Sequence, residues 1–339
     1  MGKWLIEAEK ITDFLEAVAR DSLLVAPVRE EEGIVLFRPV ESAGNIDLDY
    51  LNSAVSPKEF FFPRTEKLFS FQVKGAEVAI EAPGKQRGMV MFGIRPCDLR
   101  GIMSLDPVFG GDFPDPYYQE KRKAATIIAM GCETPSPRCF CSTYGISPMD
   151  GSGSDIMLTR VGSHYQAEAL TGKGDAMITR YGGFFVQRKE GQAPASMLDG
   201  KVERLDLTGI KEFLDGNFEL PYWEEVAEKC INCGICTYIC PTCHCFNIFD
   251  LTAGGTEGVR CRGWDSCMSQ GFTRMAGGHN PRPGKLERVR NRFMHKLKYH
   301  LDRYGIAGCY GCGRCVGACP VNIDIRRIIS DLGEVARNG

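Results

Sequence analysis

Cys230-Ile-Asn-Cys233-Gly-Ile-Cys236-Thr-Tyr-Ile-Cys240-Pro241 is the stretch that decides the fold. Its spacing is C-x2-C-x2-C-x3-C-P. The same spacing returns as Cys309-Tyr-Gly-Cys312-Gly-Arg-Cys315-Val-Gly-Ala-Cys319-Pro320. In such a run the first three thiolates wrap one iron–sulfur cube on a short turn, and the fourth, before proline, reaches across to a second cube. This assigns one [4Fe–4S] cluster to Cys230, Cys233, Cys236 and Cys319, and its mate to Cys309, Cys312, Cys315 and Cys240. Zinc on the C-x2-C pairs is the competing reading. Zinc takes four ligands and gives no reason for the third cysteine or the proline.

Two complete runs of this kind are the ligand pattern of a bacterial-type dicluster ferredoxin. The rest of the composition is compatible with it. A chain of 339 residues suggests roughly two domains, and 43% hydrophobic residues suffice for a core. The net charge of −2 argues against a general nucleic-acid or membrane-surface binder. Sixteen cysteines, twelve of them in short clusters with metal-ligand spacing, point to a reducing compartment and to thiolates rather than disulfides. The start, MGKWLIEAEK, has no apolar signal-peptide core and no Ser or Thr at position six for a myristoyl signal. No apolar run approaches the ~20 residues of a membrane span. The expectation is a soluble cytoplasmic protein.

Along the chain, Ile11, Phe14, Leu15 and Val18 mark an amphipathic helix over 8–20. Leu23–Val28 and Ile34–Phe37 read as short strands. Residues 56–69, aromatic and broken by proline, read as a core-capping loop. Phe71–Val73 and Val78–Glu81 read as a hairpin. Gly88–Ile94 and Ala125–Met130 are short apolar runs, as expected of buried central strands. Ile156–Thr159, Tyr165–Glu168 and Phe184–Gln187 read as further strands, with Gly-rich turns at 150–154 and 171–174. Helices are expected at Leu205–Leu214, Tyr222–Lys229, 285–301 and Ile323–Leu332. A break at Phe218-Glu-Leu-Pro221 places the domain boundary, giving domains 1–218 and 219–339. The long insertion between the cysteine runs reads as largely helical, with a loop at Gly254-Gly255-Thr-Glu-Gly258.

Cysteines also follow the two central strands. Cys97 comes after the first, Cys132 after the second, and Cys139 and Cys141 shortly later. Strand ends in a buried sheet are a common place for a site, and four soft donors there suit a third [4Fe–4S] cluster. Buried free thiols are the plainer reading. Asp98 is an alternative fourth ligand that would leave Cys97 structural. Cys243, Cys245, Cys261 and Cys267 flank the dicluster core and read as packing beside it, with His244 hydrogen-bonded rather than ligating. Lys285, Arg288, Arg292, Lys296 and Arg303 mark a basic helix. They read as a solvated face with some charges offsetting anionic clusters, or else as a face for an acidic partner. No G-x-G-x-x-G after a strand, Walker A run, H-E-x-x-H or Ser/His/Asp arrangement occurs.

These features resemble a known family. Thr242-Cys-His-Cys-Phe246, Arg262-Gly-Trp-Asp-Ser-Cys267, Met275-Ala-Gly-Gly-His279 and Met294-His-Lys296 lie between the two runs. Phe61-Phe-Pro63, Gly93-Ile-Arg-Pro-Cys-Asp98, Gly131-Cys132 and Cys139-Phe-Cys141 precede them. Together they are similar to the A subunit of anaerobic sulfite reductase and to the beta subunit of cytoplasmic sulfhydrogenases. The resemblance implies an electron-transfer subunit between a flavoprotein that handles NAD(P)H and a catalytic subunit of hydrogenase or sulfite-reductase type. It also supports the third cluster.

The expected class is α+β: a mixed-sheet N-terminal domain followed by a helical bacterial-type dicluster ferredoxin domain. The expected function is electron relay through two [4Fe–4S] clusters and a third, with no catalysis by the chain alone. The alternative is a reductase acting on a small substrate at a site-differentiated N-terminal cluster.

Overall fold

The computed structural model describes residues 2–84, 88–188 and 202–338. β1 (Lys3–Glu7) leads into α1 (Ile11–Asp21), which buries Ile11, Phe14, Leu15 and Val18, the face expected from their helical spacing. β2 (Leu23–Arg29) and β3 (Val35–Val40) pair antiparallel. β4 (Thr65–Lys74) and β5 (Glu77–Glu81) form a hairpin, whose first strand takes in the end of the expected loop at 56–69. β6 (Met89–Ile94) is buried along its whole length. α2 (Pro96–Met103), α3 (Asp106–Phe109) and α4 (Pro116–Ala124) carry the chain to β7 (Ala125–Met130). β8 (Ile156–Val161) and β9 (His164–Ala169) pair next, then come α5 (Gly172–Arg180) and the two-residue β10 (Val186–Gln187).

These strands make an eight-stranded sheet of order β10-β1-β9-β8-β7-β6-β2-β3. Its centre, β2-β6-β7-β8, is parallel and its flanks antiparallel. Parallel strands are covered on both faces, which explains the continuous apolar runs. Residues 171–174 are not a turn. Thr171 caps α5, its hydroxyl accepting from the Gly174 amide at 3.3 Å. Glycine costs ~1 kcal/mol each in a helix, and burial of Met177 and Ile178 outweighs it.

α6 (Ile210–Gly216) and α7 (Tyr222–Lys229) approach the first cysteine run, which contains α8 (Ile235–Tyr238). β11 (Phe246–Ala253) and β12 (Glu257–Trp264) follow, turning at Gly254 and Gly255. α9 (Lys285–Met294), a π-helical turn (His295–Tyr299) and α10 (His300–Tyr304) form one continuous rod. α11 (Arg314–Ala318) lies in the second run and α12 (Ile325–Asn338) closes the chain. A second core gathers Trp223, Val289, Phe293, Leu297, Ile325 and Ile329. Trp223 stacks on Phe293 at 6.3 Å with rings 4° from parallel. Ile210 and Leu214, ahead of the expected boundary at 218, already belong to this core, as does Phe140.

The insertion holds a hairpin as well as helices. β12 pairs with β4 of the N-terminal region, giving a second sheet of order β11-β12-β4-β5. Arg262 of β12 anchors it. Its buried guanidinium meets Glu66 and Asp115, and Glu66 also takes Lys121.

Candidate metal centres

The two cysteine runs share one backbone. Asn232 (φ 62°) and Gly311 (φ 65°) take equivalent left-handed positions, as do Gly234 (φ 73°) and Gly313 (φ 72°). Each second glycine starts a short helix, α8 or α11, so the first three thiols of each run turn toward one point. The amide of Asn232 donates to the Cys230 sulfur at 3.3 Å, and that of Ile323 to the Cys319 sulfur at 3.2 Å.

Three cavities lie against these loops. The first is lined by Cys230, Cys233, Cys236 and Cys319. Cys240, Cys309, Cys312 and Cys315 ring the second. Around the third, between the second run and the N-terminal region, stand Cys97, Cys132, Cys139 and Cys141. Each cavity thus brings together one of the ligand sets read from the sequence, with the fourth cysteine of each run in the other run's cavity. Cys315 also borders the first cavity and Cys312 the third. The three therefore form a row, with the second in the middle. Among the described residues no group of three or more His, Cys, Asp or Glu is arranged to hold a single metal ion. The thiols stand around spaces instead.

The third cavity sits where the sheet predicts. Cys97 is in the first turn of α2, just after β6, and Cys132 follows β7, so both lie at the C-terminal ends of adjacent parallel strands. Arg95 fixes this corner: it donates to the carbonyls of Gly131 and Tyr50 and stacks on the Tyr50 ring at 4.4 Å. The second run closes the cavity. Phe140 N donates to Gly311 O at 2.8 Å, and Asn52 Nδ2 to Cys312 O at 2.8 Å. A Cβ on residue 311 would come 2.4 Å from the Phe140 carbonyl carbon, so glycine is required there by space as well as by φ.

Asp98 is fully buried, and both its oxygens are taken by Arg314, at 2.7 and 2.6 Å. Arg314 also donates to Ser53 O at 2.7 Å and Ser53 Oγ at 2.8 Å. The carboxylate is thus a clamp between α2 and α11, not a free ligand. Cys243 and Cys267 are buried, Cys267 within the second core, and Cys245 packs against that core; none of the three lines the first two cavities. Cys261 is buried within β12. His244 Nδ1 is 3.2 Å from Thr242 O.

The basic helix is less solvated than expected, and some of its charges do face the cysteine-lined cavities. Arg288, Arg292 and Lys296 are 6%, 3% and 3% exposed. Arg292 and Lys296 line the second cavity together with Arg314, and Arg292 lines the first as well. Lys296 donates to Thr242 Oγ1 at 2.6 Å, which donates to Gly308 O at 2.6 Å and lies 3.2 Å from the Cys240 sulfur. The sequence reading had some of this helix's charges offsetting anionic clusters without saying which, and it did not include Arg314. The signal was there in weak form: 288, 292 and 296 run i, i+4, i+8 beside the buried row of Val289, Phe293 and Leu297.

Burial raises the thiols of Cys97 and Cys315 well above their ordinary value, Cys312 to about 12 and Cys141 to about 11. Thiols raised in this way give up their protons to bind iron. The cations beside it suit the anionic bound form. Two nitrogens of buried Arg292 lack any partner, as befits a group facing an anion. The residues present therefore fit iron–sulfur clusters.

A family model described as a 4Fe-4S dicluster domain matches residues 229–323. Sulfhydrogenase 2 subunit beta of Pyrococcus furiosus is 31% identical over 336 residues, covering 97% of this chain and 98% of that protein. The chain belongs to the sulfhydrogenase beta-subunit family. No solved structure matches it. In this family member, no helix among the described residues is long and apolar enough to cross a membrane.

Proposed function

We propose that the chain relays electrons inside a multi-subunit oxidoreductase, between a flavoprotein subunit that handles NAD(P)H and a catalytic subunit of hydrogenase or sulfite-reductase type. The observation that carries this is the row of three thiol-ringed cavities, neighbours sharing Cys315 and Cys312. A [4Fe–4S] cluster, when bound, supplies one-electron oxidation and reduction. The chain's own residues do the rest. Twelve cysteines hold the groups, four to a cavity. Phe140, Val289, Phe293 and Ile325 keep water from the inner walls. Arg292, Lys296 and Arg314 place positive charge where the thiolates bring negative charge. The row has one end at Cys233, which is exposed, beside Ile231 at 60% exposure. Its other end is at Cys132, at the C-terminal end of the central strand β7.

The alternative, reduction of a small substrate at the N-terminal cluster, requires an iron without a protein ligand. Four thiols around that cavity besides the shared Cys312, with Asp98 committed to Arg314, do not favour it. The test is the full chain purified anaerobically. About twelve irons are expected for three cubanes and about eight for two. It should take electrons from dithionite or reduced viologen and oxidise no NAD(P)H until a flavoprotein subunit is added. Stoichiometric flavin on the lone chain, or turnover of sulfite, protons or NAD(P)⁺ at rates of the whole complex, would overturn the relay reading.

A further inference from the structure

Arg292 stands in the wall between the first two cavities and lines both. It is 3% exposed. Its Nη2 donates to the Cys236 carbonyl at 2.9 Å, while Nε and Nη1 have no partner. Of the other buried guanidiniums, Arg314 is met by Asp98, Arg262 by Glu66 and Asp115 and Arg290 by Glu219, while Arg95 and Arg288 each donate to two backbone carbonyls. Among the described residues no ion pair of this kind reaches Arg292. Lys296, one turn further along the rod, lines the second cavity but not the first, and gives its ammonium to Thr242.

Removing a guanidinium from water without a counter-charge is strongly unfavourable. The fold keeps one here, with two free donors, at the place where two sets of thiolates meet. It shares the wall of the first cavity with Cys236 and that of the second with Cys240, and Cys315 lines both with it. Four thiolates around an iron–sulfur core carry net negative charge, and reduction adds more. A nearby buried cation therefore favours the reduced form of whichever cluster it faces, because net charge and hydrogen bonds to sulfur set the potential.

We infer that Arg292 is the shared counter-cation of the two ferredoxin-type cages and raises both of their reduction potentials together. It acts on the clusters through its charge and donors and is a positioning residue, not a catalytic one. The same charge lessens the repulsion between two reduced neighbours, so an electron on one cage impedes the next less. The inference rests on the cage assignment made above, which the iron content of the same samples tests separately.

The experiment is a redox titration of the full chain, purified anaerobically, followed by electron paramagnetic resonance with iron analysis of every sample. Arg292→Gln removes the charge and keeps an amide. It is expected to leave the iron content unchanged and to lower the reduction equilibrium of both ferredoxin-type clusters at least tenfold, about 59 mV for one electron. The N-terminal cluster, whose cavity Arg292 does not line, should keep its potential. Arg292→Lys retains the charge and should hold both potentials within about threefold of the parent, or about 30 mV. Unmoved potentials in an iron-replete Gln variant would overturn the inference, and so would a shift confined to one of the two clusters. If the Gln variant does not hold iron, the Lys variant decides. Two retained potentials support the charge role, and a tenfold fall in either one overturns it. A parent chain that binds fewer than two clusters would instead bring down the cage assignment, and this inference with it.

Discussion

Asp98 shows how much a single side chain's partner decides. It neighbours Cys97 in sequence and is an oxygen donor, so it competes on paper for the third cluster. In the fold its two oxygens form a forked pair with Arg314, both groups being under 10% exposed. Breaking a buried pair by removing one charge costs about 3–5 kcal/mol. Asp98→Asn is therefore expected to lower stability by an amount of that order while leaving the iron content at the parent value. Loss of about four irons per chain, one cubane, would make Asp98 a ligand after all. Cys240 belongs to the first run in sequence but lines the cavity of Cys309, Cys312 and Cys315. Cys240→Ala should then remove or degrade the second run's cluster and spare the first run's, as read by iron content and paramagnetic resonance. Loss of the first run's signal alone would reverse the assignment.

Among the elements, the rod from α9 through α10 carries the most chemistry. Its π-helical turn spans His295–Tyr299 and separates two stretches of regular helix. Such turns re-aim side chains and occur often at functional sites. Here His295 and His300 meet His244, with ring centroids 5.3, 5.6 and 6.0 Å apart. Burial first and the Lys296 charge second hold His244 and His300 down to about 4, and His295 lower still. Unfolded histidine titrates near ~6.5. These rings thus contribute stability that is complete above that pH and is lost as pH falls from ~6.5 toward 4. His300→Gln should flatten the fall of the urea midpoint over this window relative to the parent. Equal slopes in the two proteins would show that His300 does not contribute. The hairpin β11–β12 works differently: it reaches back and pairs with β4, tying the insertion to the N-terminal region.

At the scale of the molecule, the two regions are fastened at several places. Phe140 bonds to Gly311, Asp98 to Arg314, Asn52 to Cys312 and β12 to β4. Phe140, Ile210 and Leu214 lie in the second core although they precede residue 218. The third cavity is lined by Gly311 and Cys312, which come from the far end of the chain. A chain built this way should unfold as one unit. Anaerobic calorimetry of the loaded full chain is expected to give one transition, and two well-separated transitions would contradict the shared construction. The same fastening keeps the three cages in a fixed row, as a relay requires.

Local pattern alone was sufficient for a good part of this protein. The paired C-x2-C-x2-C-x3-C-P runs specify two thiol sets with exchanged fourth members, because ligand spacing is a property of a short stretch of backbone. The apolar runs of β6 and β7 likewise announce central strands, and the cysteines after them announce a site at the strand ends. Tertiary structure decided what depends on partners distant in sequence. The alternation in 246–264 did not reveal a hairpin, since its stabilising neighbour β4 lies some 190 residues earlier. That some charges of the basic helix offset anionic clusters was legible, but that Arg292 and Lys296 are the ones was not, because that depends on which helix face packs against the cysteine runs. That the cages stand in a row, with Cys312 and Cys315 as the shared walls, follows only from how the second run packs between the first run and the loop at Phe140.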